Sequence, residues 1–461
     1  MMEQNQKFMM MTQTPVSKLI PKLAVPTIIS MLTTSFYNMA DTFFVSQIGT
    51  SAAAAVGVIF SLMAIIQAIG FTFGMGCGSF ISRSLGKKDI KSAEEAGAIA
   101  FFTAIFIGLL LAFFGLLFID KLVVFLGATE TIAPFAKDYG KYILIGAPYM
   151  CGSFVLNNIL RSQGNAVRSM LGITTGGILN IILDPIFIFV LNMGISGAAI
   201  ATIISQLISF IILFIQCNYI DGSIKIKLSN YKLSLKMYKE ILKTGMPTLY
   251  RQGLASFSTI LLNTSASSFG DSAIAAVSIV TRIMMFIFSV LIGFGQGYQP
   301  VCGFNFGAKK YDRVLEAFWF CAKVAFVALS IFALIAFTFA PKLIAIFRAN
   351  DPEVIMIGSR TMRFQCCVMP LHAVTVIVNM TLQSLGYGWR ASVVAAGRQG
   401  LFFIPAILFL PTAIGITGIE TSQAIADFLT FLLASGMILD VLKELKQMRE
   451  SVETEQQKSA V

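Results

Sequence analysis

The sequence predicts an all-α polytopic membrane protein, with twelve transmembrane helices in two six-helix bundles related by a pseudo-twofold axis along the membrane normal. Three observations predict it: the apolar content, the length of the apolar segments and an internal repeat. Of the 461 residues, 56% are hydrophobic and only 12% are charged, whereas about a quarter of an ordinary soluble domain is charged. A soluble fold could not bury this much apolar surface, so we expect insertion into a membrane.

Several apolar segments are long enough to cross a bilayer as helices. Residues 98–119 and 323–340 carry little or no charge, and about 20 apolar residues suffice for one helical crossing. The segments are apolar on every face, unlike the alternating strands of a membrane β-barrel. Breaks between them predict twelve helices, which begin near Ser17, Ala52, Ala93, Ile132, Val167, Ser196, Tyr238, Ser272, Val314, Val354, Arg390 and Gly415.

The net charge of +11 follows a pattern that orients membrane proteins. Basic residues collect in alternate connections, among them Arg83, Arg161 and Arg398, while the opposite connections lack bases or mix them with acids. By the positive-inside rule, both termini are cytoplasmic. We therefore expect a multi-pass protein of the plasma membrane that contacts lipid, acts as a monomer and binds no nucleic acid.

The internal repeat becomes visible when the sequence is compared with itself at a shift of about 221 residues. Pro26-Thr27 then matches Pro247-Thr248, and glycines and charged residues between 49 and 95 match those between 270 and 316. Two six-helix units in the same orientation are one architecture of secondary transporters. The predicted divisions are an N-terminal tail (1–16), an N-lobe (17–220), a linker that overlaps the start of helix seven (221–243), a C-lobe (244–442) and a C-terminal tail (443–461).

Two aspartates lie deep within apolar segments of the N-lobe. An ionised carboxylate at Asp41 or Asp184 would cost several kcal/mol if it faced lipid. A spacing of four residues places three pairs of side chains on shared helix faces: Tyr37 with Asp41, Asn180 with Asp184, and Thr202 with Gln206. If these faces converge, their oxygens suit a hard monovalent cation or a shared proton. The alternative is that each aspartate pairs with a polar neighbour and fixes two helices together.

The repeat favours the ion-binding interpretation, because the C-lobe lacks these carboxylates. At the repeat spacing, Asp41 corresponds to Leu262 and Asp184 to Pro405. A group needed by the fold alone should occur in both lobes, whereas a site that loads one ion per cycle need occur only once.

Motifs of enzyme chemistry are missing from the sequence, which contains no phosphate-binding loop, zinc spacing or nucleophile elbow. We therefore expect no enzymatic activity and no cofactor besides a coupling ion. His372, the only histidine, lies in an apolar run, as do Arg251, Arg282 and Asp427. All four are interpreted as snorkelling side chains or interhelical contacts rather than as the primary site, with an ion pair between Arg282 and an acid, or a proton carried by Asp427, as the alternatives.

Three short motifs identify a family resemblance: Tyr-Asn-Met-Ala-Asp-Thr at 37–42, Gly-Lys-Lys-Asp at 86–89 and Leu-Asn-Ile-Ile-Leu-Asp-Pro at 179–185. With these motifs the chain resembles the multidrug and toxic compound extrusion (MATE) family, in its bacterial DinF-like branch, over roughly residues 16–442. The resemblance implies two helical bundles arranged as a V, a central cavity, alternating access, and export of chemically diverse, often cationic drugs in exchange for Na⁺ or H⁺.

The resemblance also implies roles for individual residues. A cation or proton site of the N-lobe, where Na⁺ could bind, maps onto Asp41, Asn180, Asp184 and Thr202. The predicted substrate cavity contains Tyr37, Asn157 and Gln206, with Met63 and Met284 as adaptable apolar contacts. Another branch of the family has an acidic residue in helix seven, but residues 247–267 contain no acid here. A C-lobe cation site of that kind is therefore not expected.

Two other functions stay open. A flippase of lipid-linked saccharides would also have two lobes and a cavity, but needs several cationic residues around a diphosphate. The N-lobe has no such cluster, although Arg251 and Arg282 of the C-lobe keep this alternative open. A non-transporting receptor or channel is the other alternative, and a channel should show a repeated filter loop, which the sequence lacks.

Overall fold

A computed structural model describes residues 2–220, 224–348 and 351–460, which form an almost entirely α-helical membrane protein. The helices are α1 Met2–Gln13, α2 Val16–Ser46, α3 Thr50–Gly86, α4 Ile90–Leu117, α5 Ile119–Phe125, α6 Ala133–Ser162, α7 Ala166–Pro185, α8 Gly194–Asn218, α9 Leu235–Ser267, α10 Asp271–Gly307, α11 Tyr311–Thr338, α12 Ala340–Ala345, α13 Pro352–Leu385, α14 Gly388–Ala396, α15 Phe403–Ile414 and α16 Ile416–Ala460. A π-helical turn, Ile186–Val190, continues α7, another, Gly397–Leu401, joins α14 to α15, and a short 3₁₀ turn, Leu228–Asn230, precedes α9.

Eleven segments of the described chain are long and apolar enough to cross a membrane, which confirms the predicted class of polytopic helical protein. The remaining helix of the predicted twelve is α9. It has 33 residues, enough for a crossing, but its middle carries Arg251, Gln252 and several hydroxyl side chains. Helix α9 is polar because one of its faces lines a cavity described below.

The repeat is visible in the geometry of the backbone. Three pairs of helices begin at positions that are separated by the shift of the sequence repeat: Thr50 and Asp271, Ile90 and Tyr311, Ile119 and Ala340. Lys88 and Lys309 are related by the same shift, and both are left-handed, with φ of 62° and 57°. Non-glycine residues rarely adopt this conformation, so its recurrence supports a duplication of the whole six-helix unit.

The motif at residues 86–89 forms the turn between α3 and α4. Left-handed Lys88 reverses the chain, and the Asp89 backbone N–H donates to the Ser84 carbonyl at 2.9 Å. The Asp89 carboxylate then accepts a hydrogen bond of 3.0 Å from the Ser92 backbone N–H, which caps α4. The hydrogen bonds from Ser92 hold the pKa of Asp89 below its ordinary value. The motif is therefore accounted for by helix capping.

Each lobe has its own apolar core, and each core includes residues from the first helix of the other lobe. Ile20 of α2 is buried in the C-lobe core together with Leu19 and Leu23. Ile241 of α9, which corresponds to Ile20 in the repeat, is buried in the N-lobe core. The first helix of each lobe therefore crosses from one lobe to the other.

The lobes meet tightly at the end of the molecule that carries the last turns of α3 and α10, which we call the closed end. A Cβ atom built on Gly307 would lie 2.0 Å from the Arg83 carbonyl oxygen, and one on Gly86 would lie 2.1 Å from the Phe304 carbonyl oxygen. Nearby, the Thr244 hydroxyl of α9 donates to the Gly76 carbonyl of α3 at 3.1 Å. Glycine is needed here because the two backbones are in direct contact.

The polar segments outside the lobes are more ordered than their sequences indicate. In the linker predicted at 221–243, residues 221–223 lie outside the described chain, Ile224 and Ile226 are buried in the N-lobe core, and α9 already begins at Leu235. The C-terminal tail predicted at 443–461 continues α16 as far as Ala460.

The predicted N-terminal tail also folds, as helix α1, and it lies across the closed end. Asn305 Nδ2 donates to the Met11 carbonyl at 3.0 Å, and Arg313 donates to the Thr14 carbonyl at 2.5 Å. On the N-lobe side, Lys88 Nζ lies 4.7 Å from the centroid of the Phe8 ring. Helix α1 therefore contacts both lobes where they meet.

Substitution of Met11 by alanine should loosen α1. Met11 is fully buried whereas Met9 is 48% exposed, and burial of a methionine side chain is worth about 2 kcal/mol or more. Cleavage by trypsin after Lys7 in the folded protein should become on the order of tenfold faster with Met11→Ala. Met9→Ala is the matched control and should be cleaved like the wild type. Equal rates for both variants would mean that α1 is not held by Met11.

Candidate functional site

Asp41 lies near the end of α2 and is buried against α6. The Tyr139 hydroxyl donates a hydrogen bond of 3.3 Å to Asp41 Oδ2, and Tyr139 is itself completely buried. Asp41 Oδ1 has no hydrogen-bond partner among the described residues. One oxygen of this carboxylate is therefore satisfied by a phenol, while the other is buried without a partner.

Asn180, Asp184 and Thr202 form a second group on α7 and α8. Asn180 Nδ2 donates to Asp184 Oδ1 at 3.0 Å and to Thr202 Oγ1 at 3.3 Å, and all three side chains are buried. Directly after Asp184, Pro185 ends α7 and the chain continues as a π-helical turn, a feature frequent at functional sites. The spacing of four residues thus places the amide and the carboxylate side by side.

The two groups form one site, because the charges of Asp41 and Asp184 lie close enough to repel each other and both act on Tyr139. Four buried oxygens have no hydrogen-bond partner in the described chain, and a buried polar atom left without one costs about 1 to 3 kcal/mol. We call this the N-lobe oxygen site; its unpartnered atoms are Asp41 Oδ1, Asn180 Oδ1 and Asp184 Oδ2, together with Ser205 Oγ, which lies one turn beyond Thr202 on the buried face of α8.

The donor set of the N-lobe oxygen site fits a hard cation or a proton. Carboxylate, amide and hydroxyl oxygens are the ligands that such cations prefer. Over residues 2–220, 224–348 and 351–460, no three His, Cys, Asp or Glu side chains gather into a metal cluster. A cation bound here would therefore use neutral oxygens beside the two carboxylates.

Sequence reasoning missed Tyr139 and Ser205. Tyr139 lies among Lys137, Asp138 and Lys141 near the start of the predicted fourth helix, but Tyr139, Ile143 and Ala147 are all fully buried at spacings of four, a periodicity that could have revealed it. On α8, Thr202 was paired with Gln206. The buried face instead runs through Thr202 and Ser205, and Gln206 is only half-buried.

A cavity of about 470 Å³ lies between the lobes and extends mainly into the C-lobe. On α10 its lining extends from Val277 to Gln296, about 28 Å of helix at 1.5 Å per residue. The N-lobe contributes a smaller wall, which includes Phe71, Asn157 and Ile173. Such a volume is sufficient for a drug-sized molecule.

Of the five residues predicted for the substrate cavity, two line the cavity between the lobes and three do not. Asn157 and Met284 line the cavity, and Asn157 Nδ2 also donates to Ser169 Oγ of α7 at 2.6 Å. Tyr37, Met63 and Gln206 are not among the lining residues. Tyr37 packs beside Gly177 of α7, and Met63 packs against the N-lobe core.

The C-lobe wall of the cavity carries a cluster of charged and aromatic side chains. Arg398 Nε donates to Asp427 Oδ1 at 2.7 Å, and Gln423 Nε2 donates to the same oxygen at 3.0 Å. The Arg398 guanidinium lies 4.6 Å from the centroid of the Phe288 ring. The ring of His372 meets the edge of Phe288 at 4.8 Å between centroids.

Of three arginines expected in the connections between helices, Arg83 and Arg161 lie in the last turns of α3 and α6, beside those connections, whereas the expectation for Arg398 was wrong. Arg398 is inside a membrane span and pairs with Asp427. Arg83 and Arg161 are buried between the lobes: Arg83 donates to the Ser384 carbonyl at 2.8 Å, and Arg161 donates to Gln296 Oε1 at 2.5 Å. A buried arginine is stable where such acceptors satisfy its N–H groups, which the sequence alone did not reveal.

Similar proteins support the same architecture. The MatE family model matches this chain twice, over residues 26–186 and 247–409, and the starts of the two matches are related by the shift of the sequence repeat. The multidrug export protein MepA of Staphylococcus aureus is 28% identical over 437 residues, which cover 94% of this chain and 95% of MepA. These relatives are transporters rather than enzymes, in agreement with the sequence-based expectation.

Solved structures show the same fold. A MATE protein in its bent conformation superposes with a TM-score of 0.90 at 25% identity, over 96% of this chain and 99% of that one. A multidrug resistance MATE family transporter of the MOP superfamily, in an outward-facing conformation, gives a TM-score of 0.88 at 25% identity, over 95% and 98% of the two chains.

Proposed function

Since this chain belongs to the MATE family of multidrug transporters, we propose that it is a secondary active exporter, which moves amphipathic small molecules out of the cell in exchange for Na⁺ or H⁺. Transport would proceed by alternating access of the cavity between the lobes. The expected substrates include organic cations. The protein would act as a monomer in the plasma membrane, with both termini in the cytoplasm.

The observation that carries the ion coupling is the N-lobe oxygen site. Two carboxylates and two neutral oxygens are buried there without enough hydrogen-bond donors. Sodium would bind to these oxygens directly, whereas a proton would be held by Asp41 or Asp184. Either ion would relieve the repulsion between the two aspartates, so the site gains its full stability only when loaded.

Helix α7 provides a connection between the ion and the cavity. It carries Asn180 and Asp184 near one end, Ile173 in the cavity wall, and Ser169, which accepts the hydrogen bond from Asn157 of the cavity. Binding of a cation would draw α7 towards Asp41 of α2. That movement would shift the cavity wall and release the substrate.

The closed end supports alternating access. Contacts through Gly86 and Gly307 bring the lobes together at the end where α1 lies, and the positive-inside rule assigns this end to the cytoplasm. The similarity to an outward-facing transporter agrees with that assignment. Loading of the cation from outside would then precede opening of the closed end.

A flippase of lipid-linked saccharides fits the cavity less well. A diphosphate would need several free cationic groups, but of the two arginines in the lining, Arg251 and Arg398, the second is already paired with Asp427. The cavity thus provides one unpaired guanidinium among the described residues, which is insufficient for that substrate.

Transport by purified protein in liposomes tests the proposal. A fluorescent cationic dye would be followed under an imposed Na⁺ gradient and, separately, an imposed proton gradient. We expect uptake driven by one of the two gradients and abolished by an ionophore for that ion. Protein-free liposomes are the control. Failure of both gradients to move any of several dyes, with protein that unfolds cooperatively on heating, would contradict cation-coupled drug export.

A further inference from the structure

We propose that the C-lobe wall of the cavity binds the anionic end of amphipathic compounds, with Arg251 as the primary contact. The inference rests on the proposed exporter function, since the bound anions would be substrates for export. These compounds carry a charge opposite to that of the expected organic cations. The ligand class is an aromatic or otherwise apolar body that carries one carboxylate, sulfonate or phosphate group.

Arg251 is the unpaired charge of the cavity. It lies on α9 in the cavity lining, and the ion pairs of the described chain do not include it. Within that part of the chain, the charged group near enough to influence it is another cation, Arg398. Arg251 is half-buried, and hydrogen bonds between a guanidinium and an anion are about twice as strong as neutral ones, so an anion supplied by a ligand would stabilise Arg251.

The second arginine of the cavity is held in place and cannot turn away. Arg398 is fixed by Asp427 on one side and by the face of Phe288 on the other. Asp427 is the acid of this cluster, and it already accepts hydrogen bonds from Arg398 and Gln423. As far as the structure describes the lining, it has two guanidinium groups and no free carboxylate, which favours anions over cations.

The remaining lining defines the body of the ligand. Met284, Met285, Phe288 and Ile292 form an apolar surface along α10, suited to a planar aromatic group. The amides of Gln252 and Gln399, next to the two arginines in sequence, also line the cavity and can donate hydrogen bonds to an anionic group. Apolar surface and anion-binding donors thus occur in the same cavity.

Equilibrium binding to the purified protein in nanodiscs of phosphatidylcholine tests this inference without any gradient. Three probes share one ring system: 9-anthracenecarboxylate, 9-anthracenemethanol and 9-anthracenylmethylammonium. We expect the carboxylate to bind most tightly. Arg251→Gln should weaken carboxylate binding about tenfold, the usual loss for one charged hydrogen bond, and leave the alcohol unaffected. Arg251→Lys keeps the charge and should retain most of the carboxylate affinity.

Arg282→Gln is the matched control, since Arg282 is an exposed arginine of α10 outside the lining, and it should change none of the three affinities. Competition by phosphatidylglycerol in the nanodisc would identify a lipid headgroup as an occupant, whereas its absence would indicate a free solute. Wild-type protein that binds the ammonium probe at least as tightly as the carboxylate would overturn the inference. Carboxylate binding that persists while gradient-driven transport fails would refute only the exporter proposal.

Discussion

Gly307→Val should stop transport by holding the lobes apart at the closed end. The new Cβ atom would lie 2.0 Å from the backbone oxygen of Arg83, far inside van der Waals contact, and a backbone cannot rotate aside as a side chain does. The two helices would have to separate by roughly 1 Å or more. Because packed interfaces have discrete arrangements and do not deform continuously, the population of the closed conformation should fall. We expect transport to fall to the background of protein-free liposomes.

The structural effect of Gly307→Val can be measured by spin labels placed across the closed end, whose distance should increase. Gly436→Val is the matched control, because a Cβ atom at Gly436 of α16 would meet no atom within 4 Å. The pseudo-twofold partner variant, Gly86→Val, should reproduce the effect, since its Cβ atom would lie 2.1 Å from the Phe304 carbonyl. Normal transport by either glycine variant would show that this contact is not required in the cycle.

Asp184→Asn should abolish ion-driven transport while leaving the protein at least as stable as the wild type. The Asn oxygen can still accept the hydrogen bond from Asn180, and the substitution removes a buried charge that has no positive partner in the described chain. Loss of an unpaired buried charge is neutral or stabilising, whereas loss of an essential structural hydrogen bond costs about 1 to 3 kcal/mol. Asp184→Asn should therefore remove ion-driven transport without lowering the thermal stability of the protein.

The control for Asp184→Asn is Asp427→Asn, which removes a buried carboxylate that is paired. Asp427 holds Arg398 at 2.7 Å, so its loss leaves an uncompensated guanidinium and should cost about 3 kcal/mol. Thermal unfolding in detergent compares the two variants directly. Destabilisation by Asp184→Asn similar to that by Asp427→Asn would assign Asp184 a structural role and remove the main support for ion coupling.

The repeat and the hydropathy of the sequence were enough to predict the long helices, but not α1, α5 and α12. Observed helices begin within a few residues of the predicted starts, such as Thr50 against Ala52 and Asp271 against Ser272. The helix predicted to begin near Tyr238 is α9, which is less apolar than the other spans because a helix that lines a polar cavity loses the apolar content by which spans are recognised. In the repeat, α9 lies at the position that α2 occupies in the first lobe.

The candidate site was only partly predictable. Spacing along one helix identified Asn180 with Asp184, because partners on the same helix are visible in sequence. Partners on different helices are not, which explains why Tyr139 beside Asp41 and Arg398 beside Asp427 were missed. Four of the five residues predicted for the substrate cavity belong to the N-lobe, whereas the cavity between the lobes extends mainly into the C-lobe, since the packing of whole helices determines where space remains.

The exchange of first helices between the lobes has a consequence for biosynthesis. The start of α2, around Ile20, is buried in the C-lobe core, and the C-lobe helices that α2 contacts are α10 and α11, which are synthesised long after it. At roughly 5 to 20 residues per second, these side chains remain without their native neighbours for roughly 15 to 60 s. Neither half can therefore complete its core by itself, and the N-lobe becomes a finished unit only when α9 has left the ribosome.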